Sequence, residues 1–255
     1  MTDVTALTGS FPPPDAAAWR ALVEKTLKGE PLESLNRTTV EGLPIAPLYP
    51  ADAQGATLSL PPRNAERPWD LRVPVAHPDP AAANLDLLAD LQGGAASAVV
   101  RIDASGARGT AVGSGADLAL VLKDVILELA PIGLDAGFLG PKAADWLAAQ
   151  AKGSPSARLL FHMDPLSAFA ASGESPGPVE SHIVSASTVA ARLAEVHPQA
   201  GLFLASGRVV HEAGGGEAAE LAFAASAAVA YAKGMVRAGI SMERAWNGVV
   251  LGLSG

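Results

Sequence analysis

His211 and Glu212 stand side by side in the run His211-Glu212-Ala213-Gly214-Gly215-Gly216-Glu217. An imidazole next to a carboxylate can move a proton, and the glycines can bring backbone N–H groups to an anion at a helix start. The same run also reads as a plain turn into a helix, with Glu217 well placed against the helix dipole. Asp164, in Asp164-Pro165-Leu166, is a second candidate. At a strand end it serves as a base or ligand, and before a proline it serves equally as a turn residue and helix cap. Gly113-Ser114-Gly115-Ala116-Asp117-Leu118 holds half of a phosphate-loop pattern without its third glycine, and reads instead as a loop with Asp117 as N-cap. His77, His162, His182, His197 and His211 include no i, i+4 pair that would hold a metal on one helix face, so they read as structural or exposed.

These groups need elements to position them. From residue 68 onward, apolar runs at 69–75, 97–103, 131–137, 158–164, 201–209 and 248–253 alternate with helical patterns at 81–91, 117–129, 141–152, 188–196 and 217–238. Strands alternating with helices mean βαβ units and a parallel sheet. The fold class is therefore α/β. A doubly wound open sheet and a (β/α)8 barrel lacking its last two units both fit the pattern. In a barrel, Asp164 and His211-Glu212 would lie at the C-terminal strand ends, where barrels do their chemistry. The stretch 172–178 reads as an exposed loop insertion.

Composition excludes several classes. The chain has 255 residues, a net charge of −8, no basic run and no cysteine. That balance argues against nucleic acid and against an anionic membrane surface. No window approaches the roughly 20 apolar residues of a membrane span. The opening MTDVTALTGSFPPPD has neither the basic nor the apolar region of a signal peptide. With zero cysteine, these features suit a cytoplasmic chain.

Residues 1–67 read as an arm and linker, and 68–255 as the βα domain. Pro12-Pro13-Pro14 and Asp15 start a helix that runs to about Lys28, with Gly29 just past its end. Residues 37–50 contain Pro44, Pro47 and Pro50, so they cannot donate a full ladder and form an extended arm rather than a central strand. Residues 51–67 are a linker of small and turn residues.

The segment 19–49, WRALVEKTLKGEPLESLNRTTVEGLPIAPLY, resembles the N-terminal arm of the methylmalonyl-CoA mutase family. It has a Trp-led helix, Leu27-Lys28-Gly29, and then Thr38-Thr39 through Leu48-Tyr49 in the family's order. The resemblance favours the barrel, a (β/α)8 (TIM) type truncated after about six units. It also implies what is missing. Catalytic subunits carry Ser-Gly-Tyr-His-x-x-Glu-Ala-Gly, whose His bonds the thioester carbonyl. Here the stretch is Ser206-Gly207-Arg208-Val209-Val210-His211-Glu212-Ala213-Gly214, which puts Val209 at that His. A strand-one Tyr over the corrin is replaced by Pro74 in Pro68-Trp69-Asp70-Leu71-Arg72-Val73-Pro74. The cobalt-ligating Asp-x-His-x-x-Gly is absent from this sequence, and Asp164-Pro165-Leu166 matches small-subunit relatives.

The implied protein is a non-catalytic small subunit that binds no cofactor alone. It would pair as a heterodimer with a large subunit that holds adenosylcobalamin and interconverts methylmalonyl-CoA and succinyl-CoA. In the family the arm wraps the neighbouring subunit, which assigns partner contact to Leu43, Ile45, Leu48 and Tyr49. A second reading is a divergent acyl-CoA mutase or other barrel enzyme using Asp164, His211 and Glu212. A third is a fragment keeping only coenzyme A or partner binding. Unpaired edges on the first and sixth strands would also let the isolated chain pair with itself as a homodimer.

Overall fold

Asp15 accepts a hydrogen bond from the amide of Ala17 and so starts α1 (Ala16–Leu27) in the computed structural model, which describes residues 15–49 and 69–254. Contacts divide the chain into two units, residues 1–62 and 63–255. In the first, α1 ends as Lys28 turns left-handed, one residue earlier than expected, and Gly29 follows at φ 103°. A 3-10 turn (Leu32–Leu35) leads to β1 (Arg37–Thr38), which pairs antiparallel with β2 (Pro44–Ile45). The extended segment thus forms a two-stranded ribbon of two residue pairs, short because proline removes donors. None of the residues in these four elements is buried. The Pro12-Pro13-Pro14 stop and the 51–67 linker lie outside the described residues.

The second unit runs β3 (Arg72–Val75), α2 (Pro80–Gln92), β4 (Ser97–Arg101), α3 (Gly115–Val121), β5 (Ile132–Asp135) and α4 (Gly140–Gln150). It continues with β6 (Leu159–Met163), α5 (Pro165–Ser172), α6 (Val179–Val196), β7 (Gly201–Ser206) and α7 (Arg208–Glu212). It closes with α8 (Glu217–Arg237), α9 (Met242–Asn247) and β8 (Val249–Gly252). The strands form one parallel sheet in the order β3-β4-β5-β6-β7-β8. A doubly wound sheet reverses direction at a switch point, and this order never does. Right-handed crossovers between successive neighbours put every connecting helix on the same face. The sheet is therefore the TIM-type arrangement, left unclosed: among the described residues β8 pairs only with β7.

Alternation sends Val75, Val100, Leu134, Phe161, Met163 and Ala205 toward the helices, and all are buried. The opposite face is more polar and more open. There Arg72 Nε donates to Ser97 Oγ at 2.9 Å, and Arg101 pairs with Asp135 at 3.1 Å. Small residues let helices and sheet approach closely. Four of the seven buried residues of α8 are alanines: Ala224, Ala227, Ala228 and Ala232.

Several elements differ from the sequence expectation. α3 stops at Val121 instead of 129 because Asn84 Nδ2 donates to the Val121 and Lys123 carbonyls, at 2.9 and 2.8 Å, and Asp124 turns left-handed at φ 63°. α6 begins nine residues before the expected 188, at 179. α7 begins in the end of an expected strand, α9 fills a stretch with no assigned element, and α5 follows the helix cap that Asp164-Pro165 offered. The strand expected over 201–209 ends at Ser206, since a Cβ at Gly207 would lie 2.4 Å from the Glu220 carbonyl, and the chain turns there into α7. No described helix is long and apolar enough to cross a membrane.

Asn84 is buried and its amide holds two otherwise unpaired carbonyls. Asn84→Ala should lower stability by about 2 kcal/mol, read as a reduced urea midpoint with an unchanged slope.

Candidate functional site

The C-terminal ends of β6 and β7 bring the candidate residues to one end of the sheet. Asp164 follows β6 and is 8% exposed. Its Oδ1 accepts from the Ser167 amide at 3.1 Å and from the Tyr231 hydroxyl, and the Tyr231 oxygen in turn accepts from the Leu166 amide at 3.0 Å. Ser167 Oγ then donates to the Ser206 carbonyl at 3.0 Å, tying the end of β6 to the end of β7. Asp164 is thus the N-cap of α5, with Pro165 in the first turn where its missing N–H does no harm. Burial pushes its carboxyl up to about 6, against the opposing hydrogen bonds of Tyr231 and Ser167. Burial, and then the neighbouring Asp164, also raise the Tyr231 phenol.

His211 and Glu212 lie on α7 and do not join Asp164 in any contact. Glu212 pairs with Arg208 one turn back at 3.3 Å. His211 Nδ1 lies 3.7 Å from Oε2 of Glu220, a buried carboxylate whose other oxygen accepts from the Ser254 amide. The two side chains of α7 are mostly exposed, and Glu220 is held for structure. Sequence reasoning passed over both Glu220 and Tyr231. Each sits on the sheet-facing stripe of an otherwise alanine-rich helix, and that placement was the available signal.

The Gly113 loop is closed by its own side chains. Asp117 Oδ2 accepts from the Gly113 amide at 3.0 Å and from Ser114 Oγ at 2.9 Å, and Ser114 Oγ accepts from the Asp117 amide at 3.3 Å. Ser114 is the N-cap, in place of the expected Asp117, and Asp117 completes a capping box. The Ser114 and Gly113 hydrogen bonds hold the Asp117 carboxyl below its ordinary value. The 172–178 loop is largely exposed between α5 and α6.

The histidines have separate surroundings. His77 Nδ1 accepts from the Asp79 amide at 3.1 Å, His182 lies 4.7 Å from the Phe138 ring, and His197 follows α6 beside Phe161. His162 is different: it is 6% exposed, has φ 47° inside β6, and packs its ring against Gly133 on the face away from the helices. Its ring nitrogens make no well-formed hydrogen bond, the Leu134 backbone offering only a partial one. Burial, and then Arg72, depress it to about 4. No described His, Asp or Glu cluster of three or more could hold a metal ion. His162 is enclosed in the sheet, and His211 stands on the exposed face of α7.

Two neighbouring groups therefore titrate in opposite senses. The folded value of Asp164, about 6, lies above its ordinary 3.8, so its stabilising contribution is full below 3.8 and is lost as pH rises through 6. The folded value of His162, about 4, lies below 6.5, so its contribution is full above 6.5 and is lost as pH falls through 4. Each is worth on the order of 3 kcal/mol. Urea titrations at pH 4.5 and 7.5 should show His162→Gln losing less stability on acidification than the wild type, and Asp164→Asn losing more.

Comparison with known proteins agrees with this architecture. Residues 64–249 match the family described as methylmalonyl-CoA mutase. A protein of Streptomyces virginiae, named methylmalonyl-CoA mutase small subunit, is 28% identical over 96% of this chain and 42% of its own length. One of Propionibacterium freudenreichii subsp. shermanii, with the same name, is 26% identical over 95% of this chain and 40% of its own. The chain spans about two fifths of the length of these curated relatives. With most of its length matched, from before β3 to the first residue of β8, the chain belongs to the methylmalonyl-CoA mutase family.

Proposed function

We propose that this chain serves as a non-catalytic small subunit, or a portion of one, in an adenosylcobalamin-dependent methylmalonyl-CoA mutase of the cytoplasm. Its work is to support a large subunit that isomerises methylmalonyl-CoA and succinyl-CoA. The observation that carries this reading is Val209. At the position where the family's catalytic subunits present a histidine to the thioester carbonyl, this chain offers an alkyl side chain that neither donates nor accepts a hydrogen bond. Pro74 at the family's tyrosine position points the same way. The competing enzymatic reading loses support because Asp164 is committed to Tyr231 and Ser167, and His211 and Glu212 face other partners.

The first unit suits partner contact. Leu43, Ile45, Leu48 and Tyr49 are all exposed, from 44% to 67%, in a segment without buried residues. Beside them a concave groove of about 550 Å³ is lined by Trp19, Arg20, Leu32 and Pro47. Apolar surface of this kind gains stability when a partner covers it.

Co-expression with a methylmalonyl-CoA mutase large subunit should yield a one-to-one complex. Serine at positions 43, 45, 48 and 49 together should weaken it at least about tenfold. The isolated chain, mixed with adenosylcobalamin and methylmalonyl-CoA, should form no succinyl-CoA and leave the cobalamin spectrum unchanged. Turnover by the chain alone would overturn the proposal.

A further inference from the structure

The 172–178 loop, which joins α5 to α6, is hydrogen-bonded mainly to itself. Ser172 Oγ accepts from the Glu174 amide at 3.2 Å, and the Gly173 amide donates back to the Phe169 carbonyl at 2.7 Å. Among the described residues, no hydrogen bond ties residues 174–177 to any element other than α5. Gly173 turns left-handed at φ 71° in open space, and Pro176 and Pro178 flank Gly177 at the other end. A loop with glycine at both ends and few outside bonds can lift as one piece. Its underside meets His182 on α6, since a Cβ at Gly177 would lie 4.0 Å from His182 Nε2. That nitrogen is buried without a hydrogen-bond partner, and so is Ser175 Oγ in the loop itself. Leaving buried polar atoms unpaired is unfavourable, so closure works against two desolvated atoms.

His182 also borders a cavity beyond the C-terminal ends of β5 and β6. Phe138, Pro141, Met163, Pro165 and Ala186 form the rest of its wall, and the Phe138 ring stands 4.7 Å from the imidazole, tilted by 46°. With the loop in place the cavity measures about 10 Å³, room for a single water. Asp164 precedes Pro165, but its carboxyl is directed to Tyr231 and Ser167 instead. We propose that residues 172–178 are a lid over a small-ligand subsite, with this apolar wall and with His182 Nε2 as its polar anchor. The ligand class follows from the lining. No acidic or basic side chain other than the imidazole borders the cavity, so a charged ligand would be desolvated there without compensation. A compact, neutral, mostly apolar molecule with one hydroxyl fits, because a hydroxyl both donates and accepts and so serves either tautomer of the ring. Lifting the lid admits the ligand and hydrates the two orphaned atoms. The bound hydroxyl then supplies the partner that Nε2 lacks. A few well-placed polar groups in an apolar pocket are the usual basis of small-molecule recognition.

The inference does not rest on the proposed small-subunit role. It is tested on the full 255-residue chain by nuclear magnetic resonance, with isobutanol as the probe up to about 100 millimolar. The His182 ring signals should shift and saturate, and millisecond exchange at the amides of 173–177 should be present without the probe and quenched by it. Isobutyrate, similar in shape but charged, should do neither. Ala186→Val narrows the cavity and should raise the apparent dissociation constant at least about fivefold. His182→Phe keeps a ring but removes the anchor, and should abolish the quenching at 173–177. Where either variant loses its native circular dichroism the other decides, and where both do the wild-type titration decides. A His182 shift that grows linearly, or that the other four histidines share, marks a solvent effect and overturns the subsite. Amides at 173–177 that show no exchange overturn the lid. Equal responses to isobutyrate and isobutanol overturn the neutral ligand class. Failure to bind a large subunit would bear on the proposed function alone and leave this subsite standing.

Discussion

A parallel strand cannot reach its neighbour by a tight turn, because the chain must first cross back to the same end of the sheet. That requirement, with the right-handed sense of the crossover, governs the whole second unit. It places the helices on one face and leaves Arg72, Arg101, Asp135 and His162 on the other. It also gathers the C-terminal ends of β6 and β7 at the same end, so Ser167 can reach the Ser206 carbonyl. The sequential strand order follows from five repetitions of the same step.

Within that frame the carboxylate best placed for chemistry is used for structure. Asp164 lies at a strand end, where a barrel would present a catalytic group, yet it is enclosed by α5 and by Tyr231 from α8. Its proton affinity is raised by burial, as at many active sites. Here the hydrogen bonds that surround it end on backbone amides and a phenol that anchor helices. The same economy governs Asp117, which fills the amide donor of Gly113 that an anion would otherwise need. Both cases show acidic residues at helix starts absorbed by the helices they begin.

The alternation of strands and helices was legible because buried parallel strands are short apolar runs and amphipathic helices repeat every 3.6 residues. The arm motif pointed to the family, and Val209 and Pro74 carry the proposal of a non-catalytic subunit. Boundaries set by tertiary contacts were not legible. α3 ends where it does because Asn84, some forty residues earlier, reaches two carbonyls. β7 ends at Ser206 because α8 passes so close to Gly207. Tyr231 looked like an ordinary helical aromatic, and its bond to Asp164 spans 67 positions, which no local pattern can report.

The alanines of α8 have a thermal consequence. Unfolding a buried alanine exposes far less apolar surface than unfolding a leucine, and apolar exposure is what raises the heat capacity of the unfolded chain. A helix that packs on its sheet through Ala224, Ala227, Ala228 and Ala232 therefore adds little to that increment for its length. It also gives up almost no side-chain entropy when it docks. The smaller heat-capacity increment flattens the curve of stability against temperature, so this part of the protein holds its margin over a broad range rather than peaking sharply near one temperature.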